Sequence, residues 1–361
     1  MQISDDRRAP ALVLVIAALA TTLTLALTMT RAGNSSTAAG TPPTIKSPDP
    51  AAATMPSPAG PHDWLLFQQS GKGRVEVALV RPDGTDLHNP VAGVGGTGDQ
   101  SNPDWAPDGR RLVFAMSDGE RDDLWVADDD GAHARMLLDC RGACRWLDDP
   151  DWSPDGRRVV YSRTRLGPRG TGVSTMESVD VRSGRVRVLV GSWSREFTAG
   201  ARWSPDGTRV VFERVHKVDA GLEADIDGVT LTVVHLDRAG HPLEALTDPQ
   251  LYAATADWSP DGRRIVYSAL ARPDSAAPDL FLISSSGGPP ARVTHLSEDG
   301  GYANEPAWEL ESAGLVFSGR LDSSLGEPLL LVVGADGTGL GSAFGDELIH
   351  GRHPRVQPLS G

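Results

Sequence analysis

Cysteine and lysine are both scarce in this chain. Of 361 residues, two are cysteine (Cys140 and Cys144) and three are lysine (Lys46, Lys72 and Lys217). Two thiols cannot frame a disulfide-built miniature fold, and at this spacing they lack the second pair that a structural zinc site needs. No Gly-x-Ser-x-Gly elbow occurs, so the nucleophile of an α/β-hydrolase has no place here. The nine histidines do not recur at any one position of the sequence repeat described below. Positive charge is short as well. The formal net charge is −14, which opposes non-specific binding to nucleic acid, where a positive surface is required.

What the chain has in abundance is self-similarity. Asp-Trp-Ser-Pro-Asp-Gly-Arg-Arg occurs at 151–158 and again at 257–264, with close copies at 104–111 and 202–209. Each copy runs at once into an apolar triplet: Leu112 to Phe114, Val159 to Tyr161, Val210 to Phe212 and Ile265 to Tyr267. A period of about 50 residues marks a repeat architecture. Within a unit, Pro-Asp-Gly is turn chemistry, because Pro presets φ, Asp bonds its own backbone and Gly tolerates positive φ. The triplets are β-branched and aromatic, as strands prefer. A third strand follows, such as Leu124 to Ala127, then a second glycine turn at Asp129 to Gly131, then a fourth strand at Ala134 to Leu138. Four short antiparallel strands per repeat suit a propeller blade. The tryptophans at 105, 152, 203, 258 and 308 read as packing between blades.

The ends set the blade count. Asp63 to Phe67 and Val75 to Val80 read as second and third strands with no first strand before them. Pro354-Arg-Val-Gln-Pro358 matches Pro103 to Pro107 in proline spacing, with Val356 at the tryptophan position. A C-terminal strand that completes the N-terminal blade gives an all-β, six-bladed ring over 63–361 and removes the open sheet edge. The repeated motif, the triplet after it and the later Asp-Gly turn resemble the WD40-like repeat of TolB-type propellers. That resemblance implies a six-bladed propeller. It is broad for activity, since the family includes periplasmic binding proteins, propeller domains of serine peptidases and some lyases. TolB itself carries an α/β domain ahead of its propeller, whereas here residues 31–62 are low-complexity.

Residues 9–30 form a nearly unbroken apolar stretch preceded by Arg7 and Arg8. About 20 such residues span a bilayer, so a signal peptide or a signal anchor is expected after the short tail 1–8. Residues 31–62, rich in Gly, Ser, Thr, Ala and Pro, read as a disordered tether. Export would place Cys140 and Cys144 where a local disulfide persists.

In a propeller, the loops that enter each first strand converge on one mouth of the central axis. Read in register, the residue before the proline position is Asn102, Asp149, Gly200, Thr255, Glu305 and His353. Two acids, a histidine and neutral polar groups can hold a cation or a cationic side chain, or simply cap strand ends. The longest insertion, 213–230, carries Glu223, Asp225 and Asp227 before Gly228, like the opening of a calcium loop, but Val234 stands where the closing acid belongs. No cofactor is expected beyond this weak calcium candidate. The expectation is an exported, membrane-tethered monomer that binds a protein or peptide of the cell envelope and is not an enzyme. The alternative is a metal-dependent lyase or lactonase acting on a carbohydrate or lactone.

Overall fold

The computed structural model describes residues 64–358, apart from 72, 97, 168–170, 194, 220–224, 310–312 and 324–325. The expected N-terminal helix, the tether and Glu223 lie outside the described residues. Six antiparallel sheets form six blades. From the axis outward, blade II is Asp99–Trp105, Arg111–Ser117, Asp122–Asp128 and Arg135–Leu138. Blades III to VI repeat this order, with inner strands Cys144–Trp152, Glu196–Trp203, Ala254–Trp258 and Tyr302–Trp308. Blade I is made from both ends of the chain. Arg352–Val356 is its inner strand and pairs antiparallel with Leu65–Gly71, with Leu65 opposite Val356. Leu65–Gly71 pairs in turn with Arg74–Val80, and a single bridge from Leu79 to His88 fills the outermost position.

Each apolar triplet buries both of its faces because side chains alternate along a strand. In blade III, Val159 and Tyr161 pack with Val113 and Leu124 of blade II, while Val160 between them packs with Trp203 and Phe212 of blade IV. Blade I does the same across the closure. Leu65 and Phe67 meet Val316 and Leu330 of blade VI, and Leu66 meets Trp105 and Phe114 of blade II. Six apolar clusters result, one for each blade interface.

The repeated octapeptide supplies the polar half of these interfaces. Its serine hydroxyl (Ser153, Ser204, Ser259) donates to the motif aspartate at 2.6 Å and accepts the second arginine's N–H at 2.9 Å, which sets the turn. That second arginine then lies over the tryptophan of the next blade: Arg111 on Trp152, Arg158 on Trp203, Arg209 on Trp258 and Arg264 on Trp308, at 4.6–4.8 Å. Each motif therefore grips its neighbour as well as turning its own chain.

Two consequences are open to measurement. Trp203→Ala empties a two-blade contact and is expected to destabilise by about 3–5 kcal/mol. Arg158→Ala removes only the stacked cation and is expected to cost about 1 kcal/mol. Denaturant unfolding would rank the two. Removing residues 352–358 leaves Leu65–Gly71 as an open edge, and self-association on gel filtration is the expected result.

Candidate functional site

The six register positions come together at the axis, and all six have left-handed backbone. φ is +49° at Asn102, +50° at Asp149, +56° at Gly200, +51° at Thr255, +52° at Glu305 and +49° at His353. Each marks a break in pairing between the first and second strands of its blade, as between Ser101 and Asp104 in blade II. Five of the six are not glycine, and Thr255 is β-branched, for which this conformation is a genuine outlier. Such strain costs on the order of 1–3 kcal/mol per residue and gathers at functional sites.

The bulges are tied to each other in sequence around the ring. Gly200 N–H donates to Asp149 Oδ2 of blade III at 2.9 Å. Glu305 N–H donates to Thr255 Oγ1 of blade V at 3.1 Å, and His353 N–H to Glu305 Oε2 of blade VI at 3.0 Å. Asn102 Nδ2 donates to Asp148 Oδ1 at 2.7 Å and to Asp149 Oδ1 at 3.1 Å. Thus the candidates do not merely cap their own strands; they join neighbouring blades.

Two links are made by residues that register reading does not single out. Gly200 has no side chain to offer, and the Glu213 carboxylate fills that space: a Cβ on Gly200 would fall 2.4 Å from Glu213 Oε1. The same oxygen accepts Thr255 N–H at 2.6 Å. Gln68 accepts Asn102 N–H at 2.9 Å, serving the gap that follows His353. Glu213 and Gln68 occupy equivalent places, each just after the aromatic of its triplet, and a long polar residue there is the signal that points to them.

A second ring lies two residues further along the inner strands: Asp104, Asp151, Arg202, Asp257, Ala307 and Arg355. Each aspartate accepts the backbone N–H of the next blade's tryptophan, Asp104 from Trp152, Asp151 from Trp203 and Asp257 from Trp308, at 2.7–2.9 Å. Arg202 and Arg355 come to 3.8 Å of Asp151 and Asp104. Burial pushes the carboxyls of Asp104, Asp151 and Asp257 above their usual range, against the pull of these arginines. Asp148 is likewise raised, by burial and then by the charge of Asp149.

The remaining candidates lie apart from the axis. Asp225 and Asp227 are exposed at the start of the blade IV hairpin's second strand, Ile226–His235. Among the described residues, no group of three or more His, Cys, Asp or Glu side chains is placed to hold a metal ion. Cys140 and Cys144 form a disulfide with Cα atoms 5.2 Å apart, at the entrance to the blade III inner strand. His350 is exposed and its ring bonds Glu327 O.

The sequence matches the TolB beta propeller domain over residues 64–312, which is most of the chain. This chain belongs to the TolB beta propeller family. Among solved structures, TolB from Acinetobacter baumannii shares 17% identity with a TM-score of 0.60, over 82% of this chain and 66% of that one. The putative TolB from Agrobacterium tumefaciens shares 16% identity with a TM-score of 0.56, over 82% and 90%. An oligogalacturonate lyase from Vibrio parahaemolyticus shares 13% identity with a TM-score of 0.53, over 77% and 73%. At these identities the likeness is one of fold. No curated protein matches the sequence. This chain spans about two thirds of the Acinetobacter TolB.

The TolB-like ring has a testable pH signature. Burial, then the charge of Asp149, pushes the Glu213 carboxyl up to about 7, against the bond from Thr255 N–H. A raised acid stabilises the fold fully below its unfolded value of 4.5 and loses that contribution as pH climbs through 7. The loss is on the order of 3 kcal/mol. Glu213→Gln keeps an oxygen for Thr255 N–H and removes the titration. The expected outcome is a variant more stable than wild type at about pH 8 and with a shallower decline from about pH 5, read by denaturant midpoints.

Proposed function

We propose that this TolB-like propeller is an exported binding scaffold that takes a protein or peptide of the cell envelope at the entry mouth of its axis. The observation that carries the reading is the ring of six left-handed residues, five of them polar and strained, at the centre of an otherwise regular scaffold. Strain of this kind persists where surrounding structure over-determines it, and a rigid frame with loops at one end is a common way to present a binding surface.

The loops support the same end. Blades III and IV have the longest middle hairpins, Arg158–Leu166 with Gly172–Asp180 and Arg209–Lys217 with Ile226–His235. Their tips lie at the end where inner strands begin, since Leu166 pairs with Gly172 and Arg165 with Cys144. At this end cations stack on aromatics: Arg145 with Trp146 on the blade III inner strand, and Arg214 and Lys217 of the blade IV hairpin with Trp193 and Phe197 at the start of the blade IV inner strand. Such pairs present amphipathic contact area of the type enriched at interface hot spots. The Cys140–Cys144 disulfide and the apolar stretch at 9–30 support export.

A photo-crosslinker placed at Trp146 or Phe197, compared with one on the far end at Arg263, tests the assignment in envelope extracts. Adducts specific to the entry end are expected. Equal or absent adducts at Trp146 and Phe197 would remove the mouth as the binding surface.

A further inference from the structure

The outermost strand of blade III, Val186–Val190, is the longest outer strand among the described residues. The others run to four residues in blade II, three in blade IV and two each in blades V and VI. Val186–Val190 pairs on one side with Gly172–Asp180, and its other side is the end of the sheet. An edge strand leaves a row of backbone N–H and C=O groups unpaired and so offers a template for one more strand. Two large apolar side chains stand open on it, Val186 at 37% exposed and Val188 at 57%.

The chain is acidic as a whole, at −14, yet this edge is basic. From Val181 to Gly191 it carries Arg182, Arg185 and Arg187 and no Asp or Glu, and all three arginines are exposed. Arg157, also exposed, adjoins them, its carbonyl accepting Val181 N–H at 2.9 Å. The acids at hand are already engaged. Asp180 accepts the N–H and the hydroxyl of Ser183, each at 2.7 Å. Glu177, opposite Val188, is buried and held by Arg163 and Arg165 at 3.0 and 2.8 Å. Cations on other outer strands are spent within the fold: Arg135 of blade II donates to Val181 O at 2.9 Å, and Arg292 of blade V pairs with Asp279 and Glu298 at 2.7 Å. Exposed positive charge and exposed apolar surface therefore coincide on the blade III edge.

We infer that this edge takes an extended acidic segment of another protein, added to blade III as a fifth strand in which acids alternate with aliphatic residues. Side chains alternate along a strand, so Arg185 and Arg187 share one face and Val186 and Val188 the other. An added strand sets its own residues directly opposite these, where opposite charges and apolar pairs each favour the pairing. Main-chain bonds then supply affinity and the alternate side chains supply selectivity. Charge on an edge ordinarily keeps strands apart, and here it turns away a second copy of this chain. The antiparallel register that pairs Val186 with Val188 puts Arg187 opposite Arg187 of the other copy, and like charges so placed destabilise. A surface of anionic lipid would use the arginines and leave the open backbone edge unpaired. The ladder shifts register between Val188 and Val190, which confines the docking stretch to 185–188. The rim is a second surface, and the inference stands apart from the reading of the mouth.

Fluorescence anisotropy with the full chain and the dye-labelled peptide Gly-Glu-Val-Glu-Val-Glu-Gly tests the assignment. Saturable binding is expected, and it weakens as salt is raised, because exposed charges are screened. The scrambled peptide Gly-Glu-Glu-Glu-Val-Val-Gly has the same composition and charge and is expected to bind about tenfold more weakly. The double variant Arg185→Glu, Arg187→Glu is expected to lose the first peptide and to gain Gly-Lys-Val-Lys-Val-Lys-Gly, an exchange that misfolding cannot produce. Backbone amide hydrogen exchange between Val186 and Val188 is expected to slow in the wild-type complex. No saturable binding, equal binding of the scrambled peptide, or binding without amide protection would each overturn the strand. Two further results would reassign the edge and overturn the inference. One is a concentration-dependent dimer that the double variant abolishes, which gives the edge to a second copy. The other is sedimentation with phosphatidylglycerol but not phosphatidylcholine vesicles, lost in the double variant and with no peptide binding, which gives it to a membrane.

Discussion

A blade of this molecule is apolar on both faces, so no blade can be stable without a neighbour on each side. Val160 cannot be buried unless blade IV is present, and Tyr161 cannot be buried unless blade II is. Applied around the axis, that constraint admits only a closed ring or an end cap. The chain closes by lending Arg352–Val356 to the blade that begins at Leu65. The stacked arginines and the aspartate-to-tryptophan links then fix the angle at which blades meet, because each spans one interface and is satisfied only in register.

Closure also accounts for the character of the site. Six inner strands meet at the axis with backbone groups that their own sheets leave unpaired at the bulges. Side chains of neighbouring blades satisfy most of them: Asp149, Thr255 and Glu305 in register, Glu213 and Gln68 from the second strands. Glu305 does so with Oε2 alone, while its Oε1 stays beside the His353 ring at 3.2 Å. The left-handed backbone at Thr255 is the local cost of linking blades V and VI through its hydroxyl.

Much of this is legible in the order of the amino acids. The motif period places the tryptophans, the proline spacing at 354–358 closes the ring, and one step upstream of each motif gives the positions that meet at the axis. The roles are harder to read. Asp104 and Asp151 have the look of a turn motif, yet they bond tryptophans 48 and 52 residues away. Glu213 substitutes for a side chain that Gly200 lacks, which shows only once the two are seen to share one space. The acids at 225 and 227 suggest a cation loop from their alternation alone, and among the described residues nothing gathers them into a metal site.

What the sequence determined by itself is the repeat: strand alternation, turn chemistry and the number of units, all set by contacts within about 50 residues. What only the tertiary structure decided is which polar atoms at the axis are satisfied. That depends on partners from the adjoining blade, one whole period away, and no local pattern encodes whether a given oxygen there finds a donor.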